Sequence, residues 1–135
     1  MQITDLIVKF GRDGMHAFLH RNLLMKAEKH EVDIWVPVGF KTDFASIPQA
    51  VRSLIPQLGK WTAAAVAHDF MYWCGPSMGF TQKKADDIFL ELMEDAGVKW
   101  WRRHAIHKAL RAGGWVAWRN HRKEGHSVHN AIQGK

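Results

Sequence analysis

Trp61-Thr62-Ala63-Ala64-Ala65-Val66-Ala67-His68-Asp69-Phe70-Met71-Tyr72-Trp73 is the stretch where the hydrophobic period of the chain changes. Within it Thr62, Ala65, Asp69 and Tyr72 are spaced by three or four, the repeat of a helix. Four alanines favour that conformation because they lose no side-chain freedom in it. Gly75-Pro76 then stops it. The segment is apolar almost all round, which predicts a mostly buried helix that other elements must surround.

Downstream, Thr81 is a suitable N-cap for a second helix. Its stripe is Ala85, Ile88, Phe89, Leu92 and Met93, and Gly97 closes it. A third helix is expected from Lys99 to about Ala112, weakened at Gly113-Gly114 and continued by Trp115 to Arg119. Upstream, the first 40 residues read as strands. Ile3 to Phe10 mixes apolar and β-branched residues before the turn signal Gly11-Arg12-Asp13-Gly14, and Met15 to Met25 is again rich in apolar residues. Val32-Asp33-Ile34-Trp35-Val36 alternates cleanly up to Pro37, the pattern of a half-buried antiparallel strand. The expected fold is therefore α+β: a small antiparallel β meander followed by a three-helix half that carries the His-Asp motif. Residues 1–119 make one domain in this reading, and residues 120–135 a basic, mobile tail.

The chain has 135 residues, 47% of them apolar and 24% charged. This balance excludes collagen-like, disordered and coiled-coil organisation of the whole chain. No apolar run approaches the length of a membrane-spanning helix. Met1 to Asp5 lacks the character of a signal peptide, and the single Cys74 cannot form an internal disulfide, so synthesis in a reducing interior is expected. The net charge of +6 is unevenly spread. Residues 1–98 carry 10 Lys and Arg against 12 Asp and Glu, whereas residues 99–135 carry nine against Glu124 alone, together with four of the seven tryptophans. A basic, Trp-rich end fits either an anionic partner or a solvated helix face.

Three clusters could carry chemistry. The loop Gly39-Phe40-Lys41-Thr42-Asp43-Phe44-Ala45-Ser46-Ile47-Pro48 offers hydroxyls, carbonyls and a carboxylate to a hard cation, or to the cap of a following helix. In the Ala-rich helix Tyr72 lies one turn beyond His68 and three residues from Asp69, and buried polar groups there must find partners. These three side chains could equally form a satisfied core network. In the second helix Asp86 sits on the apolar stripe, whereas Asp87 falls on a more polar side with Glu91 and Glu94. Asp86 could pair with Lys83 or Arg102, or cap a loop. The pairing with His68 on the preceding antiparallel helix is preferred, because it would fix one imidazole tautomer and leave the other nitrogen as a base. Ser46 has no nucleophile elbow around it, and Cys74 reads as a buried structural thiol.

Gly39-Phe40-x-Thr42-Asp43-Phe44-Ala45-Ser46-Ile47-Pro48, Ala67-His68-Asp69-x-x-Tyr72, Ala85-Asp86-x-x-Phe89 and Gly97-Val98, in that order, resemble the bacteriophage and prophage domain-of-unknown-function family thirteen fifty-three. The resemblance implies a phage or prophage source and no established activity. It runs from about Val32 to Gly114. A fainter likeness links His68-Asp69-x-x-Tyr72 to the catalytic helix of bacterial phospholipase A-two enzymes. That likeness implies His68 as the general base, Asp86 as the carboxylate that orients it and Tyr72 as support for that carboxylate. It also implies Asp69 and Asp43 as ligands of calcium or another divalent cation, with Thr42 and Ser46 in the adjoining loop. Those enzymes are disulfide-bonded and carry Gly and Cys where this chain has Phe44 and Ala45.

Two readings follow. One is metal-assisted ester or amide hydrolysis at the cell envelope, the basic helix lying on an anionic membrane surface. The other is a non-catalytic virion protein of tail or baseplate, made in the host cytoplasm, with Trp and Arg residues against other virion subunits. Specific nucleic-acid binding is not expected, because no recognised motif is present. In the basic helix Trp101 and Trp115 are expected to pack inward, with Trp100, Arg102, Arg103 and Arg119 left as a contact surface.

Overall fold

The computed structural model describes residues 1–12, 17–42 and 61–132. Antiparallel strands come first, then four helices among the described residues, so the chain is α+β. The strands are β1 (Val8–Phe10), β2 (Ala17–Leu19), β3 (Leu23–Ala27), β4 (Val32–Val36) and β5 (Lys41–Thr42). They form two small sheets. In one the order is β1-β2-β5, and in the other β3 pairs with β4. The apolar run from Met15 to Met25 is thus divided between two strands, and β5 joins β2 by skipping the β3–β4 hairpin.

The alternation read in Val32–Val36 sets the hairpin register. Leu23 lies opposite Val36, Met25 opposite Ile34 and Ala27 opposite Val32. These residues share one face, and Leu23, Met25, Ala27, Ile34 and Val36 are buried on it. Trp35 falls on the other face and is exposed.

Helix α1 (Thr62–Cys74) is the axis of the core: every residue from Ala63 to Cys74 is buried. Its alanines permit this, because small side chains let neighbours approach from all sides. Gly75 ends it with φ +52°, a left-handed conformation that favours glycine. Helix α2 (Gln82–Asp95) starts at Thr81, whose hydroxyl accepts the Lys84 amide at 3.1 Å. Its stripe of Ala85, Ile88, Phe89, Leu92 and Met93 is buried as expected. Glu91 differs from its expected polar position. It is buried because the β3–β4 turn covers it, with Oε1 2.7 Å from His30 Nδ1 and Oε2 accepting the Lys29 amide at 3.0 Å.

Helices α3 (Trp100–Gly113) and α4 (Trp115–Lys123) complete the bundle. Gly114 between them keeps helical dihedrals, and the bonds Gly114 N–H to Leu110 and Trp118 N–H to Gly114 carry the ladder across it. Beyond Lys123 the chain turns back onto α1. The Trp73 indole donates to Ser127 O and Asn130 Oδ1, Ala131 is buried, and Ile132 bridges to Phe40.

Candidate functional site

Helix α1 presents His68 and Tyr72 on one face because they are four residues apart. That face meets Asp86 of α2. Tyr72 contacts Asp86, while His68 reaches both Asp86 and, one turn further along α2, the Phe89 ring. The two helices therefore run antiparallel, and the hydrogen bond expected between His68 and Asp86 is formed at 2.9 Å.

Asp86 accepts three hydrogen bonds. His68 Nε2 and the Tyr72 hydroxyl, at 2.6 Å, share Oδ1, and Arg111 Nη1 of α3 donates to Oδ2 at 2.9 Å. His68 and Asp86 are both 0% exposed. A buried carboxylate needs its charge matched, and the guanidinium supplies the match. An ionised carboxylate can only accept, so His68 must donate through Nε2. Neutral His68 then carries its lone pair on Nδ1, and that buried atom has no hydrogen-bond partner among the described residues. Burial, and after it the Asp86 charge, hold the Tyr72 hydroxyl well above the usual tyrosine range, so it remains a proton donor.

Packing also holds the imidazole. Its ring contacts that of Tyr72, with centroids 4.3 Å apart, and that of Phe89, at 4.7 Å. Trp118 of α4 abuts Tyr72 edge-on at 5.3 Å. The α3–α4 junction closes over the Tyr72 hydroxyl: a Cβ on Gly114 would lie 2.6 Å from that oxygen. A larger residue there would displace the donor. At the end of α1, Arg122 Nη2 donates to the carbonyls of Tyr72 and Trp73, at 2.8 and 2.6 Å, and so caps the helix that carries the site.

Asp69 turns away from Asp86 toward β5. Its Oδ2 accepts the Thr42 hydroxyl at 2.6 Å, and both residues are buried. Asp43 and Ser46, expected to complete an ion site, lie outside the described residues. Among the described residues no group of three or more His, Cys, Asp or Glu side chains is arranged to hold a metal ion. Asp69 and Thr42 do supply the oxygen donors that suit a hard cation.

Trp100, Arg102 and Arg103 belong to α3 and take no part in the Asp86 cluster. Arg103 Nη1 donates to Val98 O at 3.0 Å, and Arg102 lies over the Trp101 ring. The expected inward packing of Trp101 and Trp115 is overturned: they are 56% and 50% exposed. Ile106 and Leu110 set the buried line of the run, and those two tryptophans fall opposite it. Trp118 turns inward instead. Cys74 is buried, and burial pushes its thiol up to about 12, which leaves it inert at neutral pH.

Neither Lys83 nor Arg102 pairs with Asp86; Lys83 binds Asp87 at 2.6 Å. The sequence reading missed Arg111. A signal was available: His107 and Arg111 are one turn apart on α3 and engage the adjacent Asp87 and Asp86.

The model of a family described as protein of unknown function (DUF1353) matches residues 17–110, and the chain belongs to that family. No curated protein and no solved structure matches it. No helix among the described residues is long and apolar enough to cross a membrane.

Proposed function

We propose that this member of the DUF1353 family is a phage- or prophage-encoded hydrolase in which His68 acts as general base on a water that attacks an ester or amide carbonyl. One observation carries the reading: Nδ1 of His68 is buried without a partner among the described residues while Nε2 is committed to Asp86. A buried polar atom left unpaired costs about 1–3 kcal/mol. A site that uses its lone pair to receive a proton has a reason to keep it. Asp86, paired with Arg111, steadies the imidazolium that forms, and Tyr72 keeps the carboxylate oriented. The proton taken by Nδ1 then passes to the leaving alkoxide or amine.

A divalent cation, calcium first, fits the oxygen donors at Asp69 and Thr42, with Asp43 next in sequence as a further ligand. When bound it would stabilise negative charge on the carbonyl oxygen.

The test is hydrolysis of a panel of phospholipid and simple carboxylic esters and amides, with and without calcium, by the wild type and by His68→Gln. The glutamine amide nitrogen takes the place of Nε2 and can still donate to Asp86, but the side chain is a far weaker base. Loss of about 10²–10⁴-fold in rate in a folded variant is expected from removing a general base. Wild-type rates equal to those of the variant on every substrate would overturn the reading.

The second reading is the non-catalytic virion protein. The complete burial of His68 favours it, because a sealed network suits a structural role. Recovery of the chain in purified particles, together with absent hydrolysis, would support it.

A further inference from the structure

The α3–α4 run carries eight Lys and Arg between Lys99 and Lys123 and no Asp or Glu. Three of the eight are engaged inside the protein: Arg103 on Val98 O, Arg111 on Asp86 and Arg122 on the end of α1. Among the described residues Lys99, Arg102, Lys108, Arg119 and Lys123 have no ion-pair partner; Arg102 is half-buried and the other four are exposed.

The outward stripe is aromatic as well as basic. At 3.6 residues per turn, Trp101, Ala105, Lys108, Ala112, Trp115, Val116, Arg119 and Lys123 fall within about 100° of arc. The helical dihedrals of Gly114 keep that phase across the junction. Trp101 and Trp115 stand about 20 Å apart along the run. Trp100, beside them, is 66% exposed. Arg102 lies over the Trp101 ring at 5.2 Å and Arg119 over Trp115 at 5.7 Å. Each indole on the stripe is therefore paired with a cation at its face.

We infer that this ridge is a docking surface for an anionic lipid bilayer, Trp100, Trp101 and Trp115 entering the headgroup region while the flanking Lys and Arg meet lipid phosphates. Indole is the side chain that suits a membrane–water interface, having an apolar body and one polar N–H. A helix with basic residues beside Trp lies in the interface plane, and unopposed Lys and Arg are drawn to a negative leaflet. Indoles this exposed stand proud on a helix, whereas single-stranded nucleic acid is bound in a charged groove. The inference is independent of the hydrolase reading, because binding is measured without turnover.

The experiment is co-sedimentation of the full chain with vesicles of phosphatidylcholine alone and of equimolar phosphatidylcholine and phosphatidylglycerol, with Trp emission followed in parallel. Binding confined to the anionic vesicles, weakened by added salt and accompanied by a blue shift, is expected. The triple variant W100A/W101A/W115A should lose about tenfold or more in partitioning, and K108E/R119E should lose binding to anionic vesicles while keeping its thermal transition. Absence of binding to anionic vesicles would overturn the inference. So would binding that the triple variant retains in full, or capture by an oligonucleotide or protein partner in place of vesicles.

Discussion

The helical run from Trp100 to Lys123 has two faces built from the same residue types. Inward, Arg111 reaches a buried carboxylate, Arg122 caps α1, and Trp118 packs on Tyr72. Outward, Arg102 and Arg119 lie over exposed tryptophans. Arginine and tryptophan therefore have no fixed meaning along this run. Desolvation decides: an arginine facing a 0% exposed aspartate is part of the fold, while one over a half-exposed indole is screened by water.

The largest effect is expected at Asp86. Asp86→Ala removes one acceptor oxygen from His68 and Tyr72 and the other from Arg111, leaving three donors without their partner. Together these losses cost about 3–5 kcal/mol, mostly from the buried His68 and Tyr72 donors, since the partly exposed Arg111 regains water. Urea denaturation should place the variant in that range. Asp86→Asn should lose less, because its carbonyl oxygen still accepts. A loss below about 1 kcal/mol for Asp86→Ala, the size of an ordinary surface hydrogen bond, would mean that the inward face is no different from the outward one.

That cluster also marks how far the sequence could be read. The period of residues 61–73 and the stripe of α2 were legible because burial is written into apolar spacing. Asp86 stood out as a carboxylate on an apolar stripe, and His68 as its partner on the neighbouring helix. Arg111 did not stand out, because a cation in a basic helix looks solvated until the third helix is docked. Glu91 was misplaced for the same reason, its cover coming from a hairpin distant in sequence. The tryptophans follow Ile106 and Leu110, the two buried residues of α3, and adjacency of Trp100 and Trp101 could not reveal that line. Asp43 and Ser46 were legible as candidates from their loop motif, and the described residues do not include them.

An intermediate effect is expected where the inward face meets the returning chain. His126 stacks on Trp73 with centroids 3.6 Å apart, and its Nδ1 lies 2.7 Å from that of His121. Burial lowers the His126 pKa, and the nearby Arg122 charge adds to this against the opposing Glu124. A group whose folded pKa lies below its ordinary 6.5 binds more protons when unfolded once the pH falls past that value. Stability should therefore decline as the pH drops through 6.5 toward the folded pKa, and His126→Gln should remove that part of the decline. Thermal melts of both proteins across this window check the sign. A variant that declines as steeply as the wild type would show that His126 is not the group responsible.

The smallest effect is expected on the outward face. Arg119→Ala removes a guanidinium that makes no ion pair among the described residues and overlies a 50% exposed indole. Cation–π contacts at exposed sites are worth about 0.5–1 kcal/mol, and alanine recovers part of that through its better helix propensity. The net change in unfolding free energy should fall within about 0.5 kcal/mol of zero. Arg122→Ala, three residues on, should cost several times more, because the carbonyls of Tyr72 and Trp73 lose a charged donor at the end of the helix that carries His68. The same substitution on the two faces is thus a direct measure of their difference. Equal losses in paired denaturation curves would show that the faces do not differ in desolvation, whereas a neutral Arg119→Ala that still weakens binding to anionic vesicles would assign the outward residues to contact and the inward ones to the fold.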